Sequence, residues 1–72
     1  MNGELRLLDV VALVDDLPGQ RLQRGQVGTI VEVLAPGAYE VEFSDDAGRT
    51  YACTALQAEQ LLLLHHEPAP SL

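Results

Sequence analysis

The 72-residue sequence predicts an all-β fold, a small five-stranded SH3-like barrel with a single helical turn before its last strand. The first observation behind this prediction is a β-hairpin. β-branched and aromatic residues dominate segments 27–34 and 38–43, and Ala35-Pro36-Gly37 supplies the turn between them. The second is the spacing of five short apolar segments, with a long first connection and tight later ones. An OB-like barrel is the alternative, but it usually has a longer helix between its third and fourth strands, and no such segment exists here.

The second arm of the hairpin has one apolar face and one acidic face. Tyr39, Val41 and Phe43 alternate with Glu40 and Glu42, which is the period of a half-buried strand. The apolar face is therefore the predicted core. If the two arms pair about the turn, Val33 lies opposite Tyr39, Glu32 opposite Glu40, and Val31 opposite Val41.

Segment 7–14 is apolar except for Asp9 and predicts a first strand that is buried on much of both faces. The strand ends at Val14 and segment 15–19 stops it, because Pro18 has no amide to donate and Pro-Gly is a turn dipeptide. The loop that follows runs to about Gln26. It is long for so small a domain, and long ordered loops often carry binding sites.

Segment 44–49 forms the next reversal, with Gly48 in the left-handed position of a type I turn with a G1 bulge. With this turn, Phe43 lies opposite Tyr51 and Asp45 lies opposite Arg49. Segment 50–54 is then the fourth strand, with Tyr51 and Cys53 predicted to point into the core.

A capping-box pattern predicts the helical turn, because Thr54 is followed three residues later by Gln57, and the turn runs through Glu59. Four leucines at 61–64 then supply a closing fifth strand that is too short to span a membrane. The predicted organisation is a lead-in at 1–6, the barrel at 7–64 and a mobile tail at 65–72.

Charge is the most informative bulk property. Eleven Asp and Glu stand against four Arg, and no Lys is present, so the formal net charge is −7. Binding to nucleic acid normally depends on clusters of Lys and Arg, and this composition argues against it. An acidic surface favours a basic partner protein, with solubility as the competing explanation.

Cys53 is the one cysteine, so an intramolecular disulfide is excluded. No segment resembles a signal peptide or a membrane span, and we expect a cytoplasmic protein that does not bind membranes. A single domain of this length is near the lower limit for a core without disulfides or metal. We therefore expect modest stability, or stability shared with a partner.

Acidic residues form the candidate partner-binding site. They are Asp15, Asp16, Glu32, Glu40 and Glu42. The predicted register sets two of these glutamates directly opposite each other, an arrangement that destabilises a strand pair by roughly 0.2–1 kcal/mol. A basic side chain from a partner would relieve this repulsion, and so would strand twist together with screening by salt.

No catalytic, metal or cofactor site is predicted. The doublets Asp15-Asp16 and Asp45-Asp46 lack the spacing of a calcium loop, and His65-His66 lacks a third fixed ligand. Cys53 is expected to be a core residue rather than a nucleophile. Segment 25–28 lacks the Lys-Ser/Thr ending of a phosphate-binding loop, so its two glycines are expected to be structural.

Five segments are familiar in combination: 9–13 (Asp-Val-Val-Ala-Leu), 16–18 (Asp-Leu-Pro), 25–34 (Gly-Gln-Val-Gly-Thr-Ile-Val-Glu-Val-Leu), 39–43 (Tyr-Glu-Val-Glu-Phe) and 48–52 (Gly-Arg-Thr-Tyr-Ala). Together they resemble a family of small bacterial proteins, the domain of unknown function 4926, over about residues 8–64. The resemblance implies the same small β fold and no established enzymatic activity. Members of that family are sometimes encoded beside small toxin-like proteins, which implies an immunity or antitoxin role.

The run Gly-x-x-Gly-Thr-Ile-Val at 25–31 is also similar to the KOW-type motif of SH3-like barrels in ribosomal and transcription proteins. Those modules are rich in Lys and Arg, whereas this chain has no Lys. The similarity therefore implies the fold and not the binding of RNA.

The sequence predicts a non-catalytic acidic protein-interaction module that binds a basic partner protein, in one form an antitoxin or immunity-type protein. The alternative is a self-associating structural subunit of a homo-oligomer or larger complex. Its interface would contain Leu62 or Leu64, since adjacent leucines on a strand cannot all face the interior. A small enzyme that uses the acidic doublets is the third hypothesis.

Overall fold

The computed structural model describes residues 5–64, which form one antiparallel β-sheet. The strands are β1 (Val10–Leu13), β2 (Val27–Ala35), β3 (Ala38–Ser44), β4 (Thr50–Gln57) and β5 (Leu61–Leu63), in the spatial order β4-β3-β2-β1-β5. Short 3-10 turns lie at Pro18–Gln20 and Ala58–Gln60. The prediction of five strands in an all-β fold is confirmed. Within residues 5–64 the sheet is open, because β4 and β5 do not pair.

Two predicted segments extend beyond this range. The tail at 65–72 lies outside the described residues, as does most of the lead-in at 1–6. Leu5, at the start of the described chain, is half-buried and packs against the core.

The central hairpin has most of its predicted register. Val33 pairs with Tyr39 and Glu32 pairs with Glu40, as predicted. The expected pairing of Val31 with Val41 is wrong, because Ile30 takes that place and the register shifts between Ile30 and Glu32. A second shift lies between Val33 and Ala35. Each shift leaves one extra residue on β2, which is the arrangement of a β-bulge.

The core draws buried apolar side chains from all five strands. On β3 the predicted alternation is confirmed, with Tyr39, Val41 and Phe43 buried. The remaining core residues are Val11, Leu13, Leu22, Ile30, Leu56 and Leu61. Full burial of an aliphatic or aromatic side chain stabilises the fold by about 1.5–3 kcal/mol, so this cluster supplies most of the favourable energy.

β1 is shorter than the apolar run that predicts it. The strand begins at Val10, while Leu7 and Leu8 are 55% and 69% exposed. Asp9 explains the difference, because its carboxylate Oδ2 accepts a hydrogen bond from the Arg6 amide at 2.8 Å and its own amide donates to the Arg6 carbonyl at 3.0 Å. These bonds close a turn where hydropathy alone predicts a strand.

The side chains of β4 alternate between core and solvent in the opposite sense from the one predicted. Phe43 pairs with Ala52 rather than with Tyr51, because a bulge lies between this pair and the next, and Tyr51 is its extra residue. Tyr51 is 48% exposed and Cys53 is also exposed, so the prediction that both face the core is wrong. The turn before β4 is as predicted, with Gly48 at φ 82°.

The cap of the helical turn lies three residues later than predicted, at Gln57 instead of Thr54. β4 continues through Thr54 to Gln57, and the turn is Ala58–Gln60. The turn is capped by a hydrogen bond that the Gln57 amide donates to Oε1 of Gln60 at 2.8 Å. A capping residue is therefore present, but Gln57 holds that position and Thr54 belongs to the strand.

Gly28 allows β2 to approach β3 closely. A Cβ atom at this position would lie 2.7 Å from Cγ1 of Val41, 2.9 Å from Cδ1 of Phe43 and 2.9 Å from the carbonyl oxygen of Glu42. The last of these is backbone and cannot swing away. The expectation that Gly28 is structural agrees with this packing.

We predict that Gly28→Ala lowers the free energy of unfolding by about 1–3 kcal/mol, because the added methyl overpacks the core. Gly19→Ala is the matched control, since a Cβ there meets nothing within 4 Å. Urea titration followed by circular dichroism measures both variants. Equal stability of the two variants would contradict the close approach of β2 and β3.

Candidate functional site

Three glutamates share the solvent side of the central hairpin, and we call them the glutamate face: Glu32, Glu40 and Glu42. Glu32 lies directly across from Glu40 on the neighbouring strand. Glu42 follows two positions along β3, on the same side as Glu40, because the residues between and beside them point into the core. The strand pairing thus concentrates three carboxylates on one surface, as the sequence predicts.

Cys53 extends the glutamate face onto β4. It pairs with Glu42, and its Sγ donates a hydrogen bond to Oε2 of Glu40 at 2.9 Å. This bond, together with partial loss of solvent and the charges of Glu40 and Glu42, raises the pKa of the thiol from 9.0 to about 11. The thiol is therefore neutral at physiological pH and is a weak nucleophile.

The glutamate face has no cationic neighbour in the described part of the chain. The salt bridge found among residues 5–64 joins Arg49 to Asp45 at 3.5 Å, in the turn before β4. No arginine of that range lies within 4.0 Å of a glutamate carboxylate. The three carboxylates consequently keep their negative potential toward solvent.

Asp15 and Asp16 lie apart from the glutamate face, in the loop after β1. Oδ1 of Asp16 accepts a hydrogen bond from the Arg24 amide at 2.9 Å, which ties the two ends of the loop together. Asp15 is exposed. β1 is also separated by β2 from the strand that carries Glu40 and Glu42, so the structure does not unite all five predicted acidic residues in one site.

A shallow groove lies beside Asp16 in this loop. Its volume is about 290 Å³, and its lining residues are Asp16, Pro18, Arg21, Leu22 and Gln23. Leu22 is buried, and it forms a backbone bridge with Leu17 that shapes the loop. One acid, Asp16, and one base, Arg21, line the groove, and its lining has no residue arrangement typical of catalysis.

Asp45 has a structural role in its turn. Its Oδ1 accepts hydrogen bonds from the amides of Ala47 at 2.9 Å and Arg49 at 3.0 Å. This accounts for one residue of the second acidic doublet. Within residues 5–64, no group of three or more His, Cys, Asp and Glu side chains is arranged to hold a metal ion. His65 and His66 lie outside the described residues.

The family model described as Domain of unknown function (DUF4926) matches residues 7–63. That range covers most of the chain and every strand of the sheet. The chain belongs to the DUF4926 family. The resemblance read from the sequence is thereby confirmed. No curated protein and no solved structure matches the chain.

The two leucines predicted for an oligomer interface of this DUF4926 protein differ in exposure. Leu62 on β5 is 55% exposed and pairs with Ala12, whereas Leu64 is half-buried and its amide donates to the carbonyl of Val10 at 2.9 Å. No helix among residues 5–64 has the length and apolar character that a membrane crossing requires.

Sequence reasoning missed one polar contact at the start of β4. Nε2 of Gln26 donates a hydrogen bond to Oη of Tyr51 at 3.0 Å, which links the end of the long loop to β4 across the sheet. The sequence carries no signal for this bond, because Tyr51 reaches it only through the bulge in β4.

We predict that Glu40→Gln lowers the pKa of Cys53 toward 9.0, because the variant loses the hydrogen bond from the thiol to a carboxylate and the negative charge that opposes the thiolate. The rate of alkylation by iodoacetamide, measured against pH, reports the thiolate fraction. Glu59→Gln removes a distant charge and is the control. An alkylation midpoint near 9.0 in the unaltered protein would contradict the contact.

The same shift predicts a decline in stability at high pH. The unfolded chain releases the thiol proton near 9.0 and the folded chain near 11, so the folded state binds more protons between these values. Rising pH across this window therefore favours unfolding. Thermal melts from pH 8 upward should show a smaller decline for Cys53→Ser, and equal declines would refute the linkage.

We predict that Asp16→Ala lowers the free energy of unfolding by about 0.5–1.5 kcal/mol, because the Arg24 amide loses its acceptor. Asp15→Ala, one residue earlier, should change it less. Urea unfolding measures both effects, and hydrogen exchange should show faster exchange of the Arg24 amide in Asp16→Ala alone.

Proposed function

We propose that this DUF4926 protein is a non-catalytic acidic interaction module that binds a basic partner protein through the glutamate face. One observation carries the proposal: Glu32 and Glu40 face each other across β2 and β3, with Glu42 beside them and no described arginine within reach. Like charges in direct opposition destabilise the free sheet, and a cationic side chain placed between them removes that cost.

Electrostatics favours the same partner chemistry over the whole molecule. The chain carries a formal charge of −7. A negative electrostatic potential accelerates the encounter with a basic protein and disfavours the binding of nucleic acid. We expect association to weaken as salt rises, since screening acts most strongly on exposed charges.

The strand order β4-β3-β2-β1-β5 is compatible with an SH3-like barrel, and we propose that fold as the scaffold of the module. A specific form of the function is an antitoxin that covers the basic substrate-binding groove of a nuclease. Its acidic face would then occupy the place of a phosphate backbone. The formal charge of −7 supports this form without naming its target.

Affinity capture from a lysate of the source cell tests the proposal, with the full chain as bait at low and at high salt. The expected result is a basic protein that is retained at low salt and lost at high salt. A triple variant, Glu32→Gln with Glu40→Gln and Glu42→Gln, should lose it.

A matched pair of double variants separates position from charge: Glu40→Gln with Glu42→Gln, and the control Asp46→Asn with Glu59→Gln, which removes the same number of charges from exposed positions elsewhere. This control should retain the partner. Equal loss with both variants would show that net charge alone drives the association. Full retention by the glutamate variant would exclude that face.

Self-association is the second candidate function, and the exposure of Leu62 on β5 favours it. A leucine that is more than half exposed on an edge strand is suited to a contact between copies. Sedimentation at increasing concentration should then show a dimer that Leu62→Asp removes. A monomer at all concentrations would exclude this candidate.

A further inference from the structure

The outer edge of β4 is the longest unpaired backbone edge in the described sheet. β4 has eight residues, Thr50–Gln57, and pairs only with β3 among residues 5–64. From Ala52 to Gln57 the pairing with β3 is regular, without a register shift. Alternate amides and carbonyls along this stretch therefore point away from β3, and no other strand among residues 5–64 pairs with them.

β4 lacks the features by which proteins usually block an exposed edge. Such edges carry Lys, Pro, inward charges or bulges, or are very short. β4 contains no charged residue and no proline, and its one bulge lies at its beginning. The opposite edge, β5, has three residues and is protected by its shortness. The second half of β2 is interrupted by two bulges.

We infer that the edge of β4 binds an extended segment of the basic partner by strand addition, with basic side chains of that segment lying over Glu40 and Glu42. This inference rests on the proposed function and specifies its binding mode. Strand addition supplies affinity through backbone hydrogen bonds and specificity through alternate side chains.

The side chains of β4 leave the glutamates open to a strand placed at this edge. Cys53 lies between the edge and Glu42, and Ala55 lies between the edge and Glu40. Both are small and exposed. Neighbouring strands are about 4.8 Å apart, so an added strand lies one strand beyond β4, and only a long side chain can cross to the glutamates. Arg and Lys have both the required length and the required charge.

Charge decides against a second copy as the occupant. Two copies paired through β4 would bring together two chains of charge −7, each with its own glutamates next to the contact. Like charges at an interface oppose association. A segment in which basic residues alternate with apolar ones instead places its basic residues beside the glutamates and its apolar residues toward the side of Thr54 and Leu56.

The test uses a synthetic peptide of sequence Thr-Arg-Val-Arg-Val-Arg-Thr with blocked ends and two analogues of it. One analogue has N-methyl groups on the valine amides and the other on the arginine amides. Methylation removes a donor and leaves the charge unchanged. Only one set of amides can face β4, so one analogue should bind at least about tenfold more weakly than the other.

Hydrogen exchange of the full-length protein locates the contact. With the parent peptide bound, alternate amides between Ala52 and Gln57 should exchange more slowly, and those of Leu61–Leu63 should not change. The variant Glu40→Gln with Glu42→Gln should bind the peptide more weakly than the control Asp46→Asn with Glu59→Gln, which removes the same charge elsewhere.

Several results would overturn the inference. If both analogues bind as tightly as the parent peptide, the glutamate face binds charge without strand addition, and the proposed function survives. If the peptide does not bind while lysate capture still depends on the glutamates, strand addition is rejected and the proposed function survives. Slow exchange of the outward β4 amides in the free protein would show that residues 65–72 or a second copy cover the edge. If a second copy covers the edge, the exchange rate of these amides depends on protein concentration; if residues 65–72 cover it, the rate does not.

Discussion

The close approach of β2 to β3 at Gly28 is the constraint on which the rest of the structure depends. With no side chain at Gly28, Val41 and Phe43 can occupy the space beneath β2, and these two residues are the centre of the core. The two bulges of β2 lie beyond this point, after Ile30. The packing at Gly28 thus requires Val41 and Phe43 to point into the core. The alternate residues of β3 then face solvent.

The glutamate face follows directly from that alternation. Because Val41 is buried, Glu40 and Glu42 on either side of it point outward, and Glu32 joins them through strand pairing. Glu32 is exposed and Glu40 and Glu42 are half-buried, so solvent and salt screen part of their mutual repulsion and a partner's cation can relieve the rest. The chain therefore tolerates a concentration of charge that a buried site could not hold, and this tolerance permits an electrostatic function in so small a domain.

The edge of β4 and the glutamate face are two consequences of one sheet. β3 is internal and carries the charge, whereas β4 lies at the edge and carries no charged side chain. A partner that approaches from the β4 side meets free backbone groups first and carboxylates one strand later. We propose that one extended segment uses both backbone pairing and charge recognition, a binding mode that needs no deep cavity.

The sequence by itself determined the central hairpin, the alternation of β3 and the opposition of Glu32 to Glu40, because all of these are local and strongly patterned. It placed Ala35 in the turn, whereas Ala35 ends β2 and pairs with Ala38. It also determined the charge and the family. Only the tertiary structure decided the phase of β4. The sequence Thr-Tyr-Ala-Cys-Thr-Ala-Leu-Gln is moderately apolar in either phase, and the bulge at Tyr51 places Leu56 in the core and Cys53 outside. The start of β1 and the role of Asp16 were also decided only by the tertiary structure. Both depend on hydrogen bonds between a side chain and the backbone, which a hydropathy pattern does not reveal.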